Sequence, residues 1–180
     1  MHVIIAGAAR AGKTTLSLML NKYGFTHYKM DSIKRGICES EILDPSDWDK
    51  VSSVMCTVIN RIIEDNKTDT NYLKENYLFD TPFLYPKDIK LINTENTMVV
   101  FLGCAHISVE EQMKLIREND KDNYWTSKIS DDELRKWTSD SIEFSKYLEE
   151  ECKKYNLKYY DTSFDRKKIL KQVLNDIINR

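Results

Sequence analysis

Residues 7 to 14, Gly7-Ala8-Ala9-Arg10-Ala11-Gly12-Lys13-Thr14, set two glycines, a lysine and a threonine at the spacing G-x-x-x-x-G-K-[ST] without a departure. Each residue type has a chemical reason to be there. The glycines allow a tight turn and let backbone N–H groups approach an anion closely, and a helix starting at the lysine turns its positive end to the same point. Lys13 can reach the β and γ oxygens of a triphosphate, the Thr14 hydroxyl can ligate Mg²⁺, and Thr15 is placed to touch the α phosphate. Gly7, Arg10, Ala11, Gly12, Lys13, Thr14 and Thr15 are therefore the expected nucleotide-binding set. Such a pattern arises by chance in roughly one chain of this length in a hundred. The requirement for a strand before it and a helix after it makes coincidence rarer still.

Two carboxylates stand where further chemistry is expected. Asp80 closes the apolar stretch "NYLFD", and an acid after such a strand can hold the water shell of Mg²⁺ beside Thr14; a plain surface acid would look the same. Asp31 follows "FTHYKM" and precedes "SIKRGI", so it, or Ser32, can cap a helix. Asp161 in "YYDTS" is a weaker candidate. Among cations, Arg10 lies inside the loop, while Arg35 and Lys34 lie just beyond Asp31, where they can meet an anionic substrate. His106 reads as a loop residue, and Trp48 and Trp137, at helical intervals, as core; Trp125 can stack on a base.

These residues need a scaffold, and the apolar pattern supplies one. Strand-like stretches at "HVIIAGA", "FTHYKM", "NYLFD", "TMVVFLGC" and "LKYYDTS" alternate with helical periods, the pattern of an α/β domain with a mostly parallel sheet. Helices are expected over 13–22, ended by Gly24, over the long amphipathic stretch after Ser46 or Asp47, from Val109 onward, over 131–155 and over 165–178. Pro86 is placed to begin a short helix. No repeat or Pro/Gly-rich linker divides the 180 residues, so one domain is expected.

Twenty-seven Lys and Arg against 29 Asp and Glu leave a net charge of −2 with no long block of one sign, which argues against a nucleic-acid groove. Four scattered cysteines make no C-x-x-C pair, and no apolar run approaches a membrane span or a signal segment. Cytoplasmic location, no membrane partner, and a monomer or homodimer are the expectations.

The layout resembles the P-loop nucleoside/nucleotide kinases, which include adenylate, shikimate and gluconate kinases and the chloramphenicol phosphotransferases. The resemblance spans nearly the whole chain in order and spacing of elements, and its specific part is the phosphate loop. "FDTPFLYP" loosely matches the D-G-x-P segment of that family, with Thr81 in place of the glycine. The resemblance implies a three-layer P-loop NTPase fold, with a five-stranded parallel sheet in order 2-3-1-4-5 and a helical lid at about 117–135. It also implies ATP and Mg²⁺ as cofactors, with Lys13, Asp31, Asp80 and Arg117 as catalytic residues. Thr14 and Asp80 would serve the metal, Asp31 and Arg35 the acceptor, and Arg166 the adenine. The lid departs from the family in lacking a closely spaced arginine pair, since Arg135 stands 18 positions beyond Arg117, which argues against a nucleoside monophosphate as acceptor. The expected activity is phosphoryl transfer from ATP to a small acceptor. A partner-regulated ATPase or switch, or a binding protein without catalysis, is the alternative. "NKTD" at 66–69 spells a guanine-reading motif but follows a helical pattern and is read as a polar loop.

Overall fold

In a computed structural model of the protein, residues 1–68, 75–120 and 125–180 are described. The chain alternates β1 (His2–Gly7), α1 (Lys13–Leu20), β2 (Phe25–Lys29), α2 (Met30–Glu39), α3 (Trp48–Thr68) and β3 (Asn76–Asp80). It continues with β4 (Thr97–Gly103), α4 (Val109–Asn119), α5 (Asp131–Lys154), β5 (Lys158–Asp161) and α6 (Arg166–Ile178). The five strands form one sheet in the order β2-β3-β1-β4-β5, and every pairing is parallel. The strand order 2-3-1-4-5 is the one expected above.

Apolar content on both faces of the central strands dictates the three layers. All six residues of β1 and all seven of β4 are buried, as a parallel sheet covered on both sides requires. Alternate residues of β1 enter opposite cores. Ile4 and Ala6 pack with Val51, Met55 and Ile59 of α3 and Leu148 of α5. Val3 and Ile5 pack with Leu16 and Leu20 of α1 and Leu170, Val173 and Ile177 of α6.

Local signals set the element ends. Gly24 takes φ 78° after a 3₁₀ turn at Asn21–Tyr23, which stops the first helical segment where the glycine predicted. Asp47 Oδ1 accepts from Lys50 N–H at 3.0 Å and opens α3. Capping boxes at Ser108 with Glu111 and at Ser130 with Glu133 open α4 and α5. A 3₁₀ helix at Pro86–Leu91 has its proline at the start. All four cysteines are free thiols.

Trp48 differs from its expected core position. It is 44% exposed at the first turn of α3 and leans on Phe83, with ring centroids 5.5 Å apart. Trp137 does pack against the small cluster of Met113, Ile116 and Leu134, and half-exposed Trp125 meets it edge-on.

Candidate functional site

Parallel strands bring their carboxyl ends to one edge, and ligands in open α/β sheets sit beyond that edge where the strand order reverses. Here β1 leads through α1 to β2 on one side, while β3 leads across to β4 on the other, so the crevice opens at the end of β1. Gly7, Asp80 and Asp161 end their strands there, and Asp31 follows β2 by two residues.

The loop between β1 and α1 is forced by its glycines. Gly7 has φ 125°, and a Cβ there would lie 1.9 Å from the Leu102 carbonyl oxygen. Gly12 has φ 97°, with Leu170 packed against it from α6. No side chain caps α1, so its first-turn N–H groups remain available to an anion. Lys13 is buried, and its Nζ donates to the Ala8 carbonyl at 2.7 Å, curling over the loop. Burial lowers its pKa, while the carboxylates of Asp80 and Asp31 oppose that shift. Thr15 is exposed on the same turn. Thr162, buried just after β5, donates to the Ala11 and Gly103 carbonyls at 3.1 and 3.0 Å, tying the loop to β4. Nothing local to Thr162 singles it out, since its partners lie far away along the chain.

Thr14 Oγ1 donates to Asp80 Oδ2 at 3.0 Å, which joins the loop to the end of β3. Two hard oxygen donors at the mouth of a positive loop suit Mg²⁺, which keeps several waters and takes few protein ligands. The residues fit the ion. Thr81, standing where the family has glycine, is fully buried, accepts from Phe83 N–H at 3.2 Å and so sets the course of the following loop.

Asp31 is the first point at which the structure decides between two readings. The α2 helix begins at Met30 after Lys29, and no side chain caps it, so neither Asp31 nor Ser32 serves as the cap. Its carboxyl instead lines a cavity of about 490 Å³ with Lys34, Arg35, Cys38, Glu39, Pro45, Pro82 and Phe83. Burial raises the Asp31 pKa, Lys13 opposes the shift, and Asp80 adds to it. Lys34 Nζ lies 4.8 Å above the Phe83 ring. Among the described residues, no hydrogen bond or ion pair holds Arg35.

The two arginines expected at the phosphates are turned elsewhere. Arg10, with φ 61°, ion-pairs through Nη2 with Asp120 Oδ1 at 2.5 Å and also meets the Thr126 hydroxyl. Arg117 donates to the carbonyls of Thr126 and Ile129 at 2.6 and 3.0 Å, and to Asp131 at 2.7 Å. Carbonyls left free where the chain turns between α4 and α5 attract the fork-shaped guanidinium. Residues 121–124 of the expected lid lie outside the described residues.

Arg166 opens α6, with its Nε buried and unpaired. It sits close to Cys104, where burial raises the thiol pKa against the opposing pull of Thr162 and Arg166. Both oxygens of Asp161 accept backbone N–H groups, from Ala105 at 2.8 Å and Ser163 at 2.7 Å, so this acid is occupied by its own loop. His106 is a surface residue paired with Glu149 at 3.1 Å. Asn66 exchanges hydrogen bonds with the backbone of Glu75 at the amino end of β3, the sheet edge opposite the phosphate loop. The "NKTD" stretch is therefore far from any base bound by that loop; its Asp69 lies outside the described residues.

His27 received no role from the sequence, yet its Nε2 lies 3.9 Å from Asp80 Oδ2. Burial lowers its pKa, and the Asp80 charge opposes the shift. The available signal was a polar residue two positions after Phe25, on the strand face that turns inward.

No protein-family model matches the chain, and no curated protein matches it. Solved structures do match its fold. Over 100% of both chains it is similar to a deoxyadenosine kinase from M. mycoides, with 18% identity and a TM-score of 0.52. It is similar to a shikimate kinase from Bacteroides thetaiotaomicron over 100% of this chain and 99% of that one, with 12% identity and a TM-score of 0.59. A gluconokinase from Sinorhizobium meliloti 1021 aligns over 99% of this chain and 91% of that one, with 13% identity and a TM-score of 0.59. The fold of this chain is thus that of the P-loop small-molecule kinases.

Proposed function

We propose that the protein transfers the γ-phosphate of ATP to a small hydroxyl compound that also carries an anionic group. The observation that carries this reading is the convergence at one sheet edge of Lys13, the Thr14–Asp80 pair and Asp31, with the cavity of Arg35 and Lys34 directly beyond Asp31. The phosphates rest on the N–H groups of the loop and the first turn of α1. Lys13 exchanges the Ala8 carbonyl for the β and γ oxygens. Thr14, and Asp80 through a water shell, would hold Mg²⁺, which would supply charge neutralisation at those oxygens.

Asp31 accepts the proton of the acceptor hydroxyl as that oxygen bonds to the γ-phosphorus and the bond to the β-phosphate oxygen breaks, leaving ADP. Arg35 and Lys34 hold the acceptor's anionic group, and Phe83 supplies an apolar wall. Arg166 stands at the adenine end. The segment between α4 and α5 serves as the lid, and Arg10 and Arg117 reach the phosphates when it closes and their present partners are exchanged.

ADP release with a panel of nucleosides, nucleotides, sugars and hydroxy acids tests this reading. Slow turnover alone, raised strongly by one anionic class, is the expected result. Brisk hydrolysis without an acceptor would favour an ATPase or switch, and ATP binding with no phosphoryl loss across the panel would overturn the kinase reading.

A further inference from the structure

The side chain of His27 on β2 is only 10% exposed, and its Nε2 has no hydrogen-bond partner. Leaving a buried polar group unpaired destabilises a fold. A strand position that takes apolar residues readily has no packing reason to bear that cost, so the nitrogen needs a use. Strand register shows where it is directed. His27 pairs with Leu78 and Lys29 with Asp80, so His27 and Asp80 share one face of the sheet. Leu78 belongs to the core under α1, which places both side chains on the α1 side, beside Thr14. Asp80 is itself 11% exposed, and its Oδ2 stands 3.9 Å from the imidazole nitrogen.

That same oxygen accepts the Thr14 hydroxyl at 3.0 Å. One donor fixes the distance of a carboxylate but leaves it free to pivot about that bond. Two donors converging on one oxygen fix its rotation as well. We propose that His27 is a positioning residue for the metal site: its Nε2–H closes onto Asp80 Oδ2, and the carboxylate then presents Oδ1 to the metal's water while Oδ2 keeps Thr14 oriented. No proton changes hands. The present distance is 3.9 Å, and hydrogen bonds at such sites are often long without ligand and tighten when it binds. The proposal rests on the reading of Thr14 and Asp80 as the Mg²⁺ site. Partners of direct metal ligands are worth roughly 10–100-fold in metal affinity, and His27, acting on a carboxylate that reaches the metal through water, is expected at the low end of that range.

The test uses Mn²⁺ as probe in the ADP complex, with free Mn²⁺ followed by electron paramagnetic resonance and metal-free ADP affinity measured by calorimetry. His27→Leu keeps the volume and removes the donor; His27→Gln returns a donor nitrogen at similar reach; His27→Asn, too short to reach, covers the case in which the leucine variant does not fold. Leu and Asn are expected to weaken Mn²⁺ binding about 10-fold, Gln to retain wild-type affinity, and all three to keep metal-free ADP affinity. Unchanged Mn²⁺ affinity in Leu and Asn would overturn the positioning role, as would a Gln variant no better than they are. Equal loss of metal-free ADP affinity would assign His27 to packing instead. A wild-type protein whose ADP binding ignores Mn²⁺ would remove the metal-site reading, and this proposal with it.

Discussion

At Asp31, burial raises the carboxyl pKa, Lys13 works against it, Asp80 adds repulsion, and Arg35 and Lys34 oppose it again. The net direction is upward, so the ionised base is lost at a higher pH than for an ordinary carboxylate. A group with this shift is active above its raised pKa and silent below it. The acid limb of kcat/KM is therefore expected above the usual carboxylate range, and Asp31→Asn should abolish both limb and transfer while leaving ATP binding intact. A pH–rate profile of the two proteins checks this; an acid limb in the ordinary carboxylate range would remove Asp31 as the base. The phosphate loop was legible at this scale because all of its chemistry lies within eight consecutive residues. Asp80 beside Thr14 was expected from an acid closing an apolar strand, whereas the reach of Asp31 past its helix start and His27 were not legible, since they depend on where α2 begins and which strand lies beside which.

Elements impose the next set of constraints. β1 and β4 are in contact along their whole length, and Gly7 is where their backbones approach most tightly, with the Leu102 carbonyl occupying the space of a side chain. Gly7→Ala is expected to cost about 3 kcal/mol from positive φ and overpacking together, lowering Tm by roughly 6–12 °C. Thermal melting by circular dichroism measures it. Arg117 acts between elements: its guanidinium joins α4 to the carbonyls of Thr126 and Ile129 and to the first residue of α5. Arg117→Met should loosen this junction by about 1–2 kcal/mol, with hydrogen exchange at 125–133 speeding up several-fold and Tm falling by roughly 2–8 °C. Element existence was legible because apolar period and turn residues agree, as at Gly24 and Pro86. The sequence left open whether Asp31 caps α2, because an aspartate before a helical stretch carries the same local signal whether it caps the helix or faces a cavity.

Over the whole molecule, the fold divides recognition between two sheet edges. The phosphate loop opens at the carboxyl edge, while Asn66 sits at the amino edge against Glu75. A guanine base on this protein would have no reader in "NKTD". Saturating Mg²⁺-ATP, at about 100 times its Kd, should stabilise the protein by about 2.7 kcal/mol and raise Tm by roughly 5–10 °C. GTP should give no larger shift, and Lys13→Met should lose most of the response to either; differential scanning fluorimetry gives all of these in one experiment. A clearly greater shift with GTP would contradict the assignment of the base site. No helix among the described residues is long and apolar enough to cross a membrane, in keeping with the short apolar runs of the sequence.

By itself the sequence determined the glycine-rich loop, the alternation of strands and helices, and hence a parallel sheet, because these follow from local spacing and from the period of apolar residues. Tertiary structure alone decided how distant side chains are used. Asp80 meets Thr14 because β3 lies beside β1, Asp31 lines the cavity of Lys34, Arg35 and Glu39 because α2 begins two residues before the start that an Asp31 cap would set, and Arg10 and Arg117 are held by the chain between α4 and α5. Charge and hydrogen bonding act over a few ångströms of space, and the chain that separates such partners by 66 or 110 positions carries no local trace of their meeting.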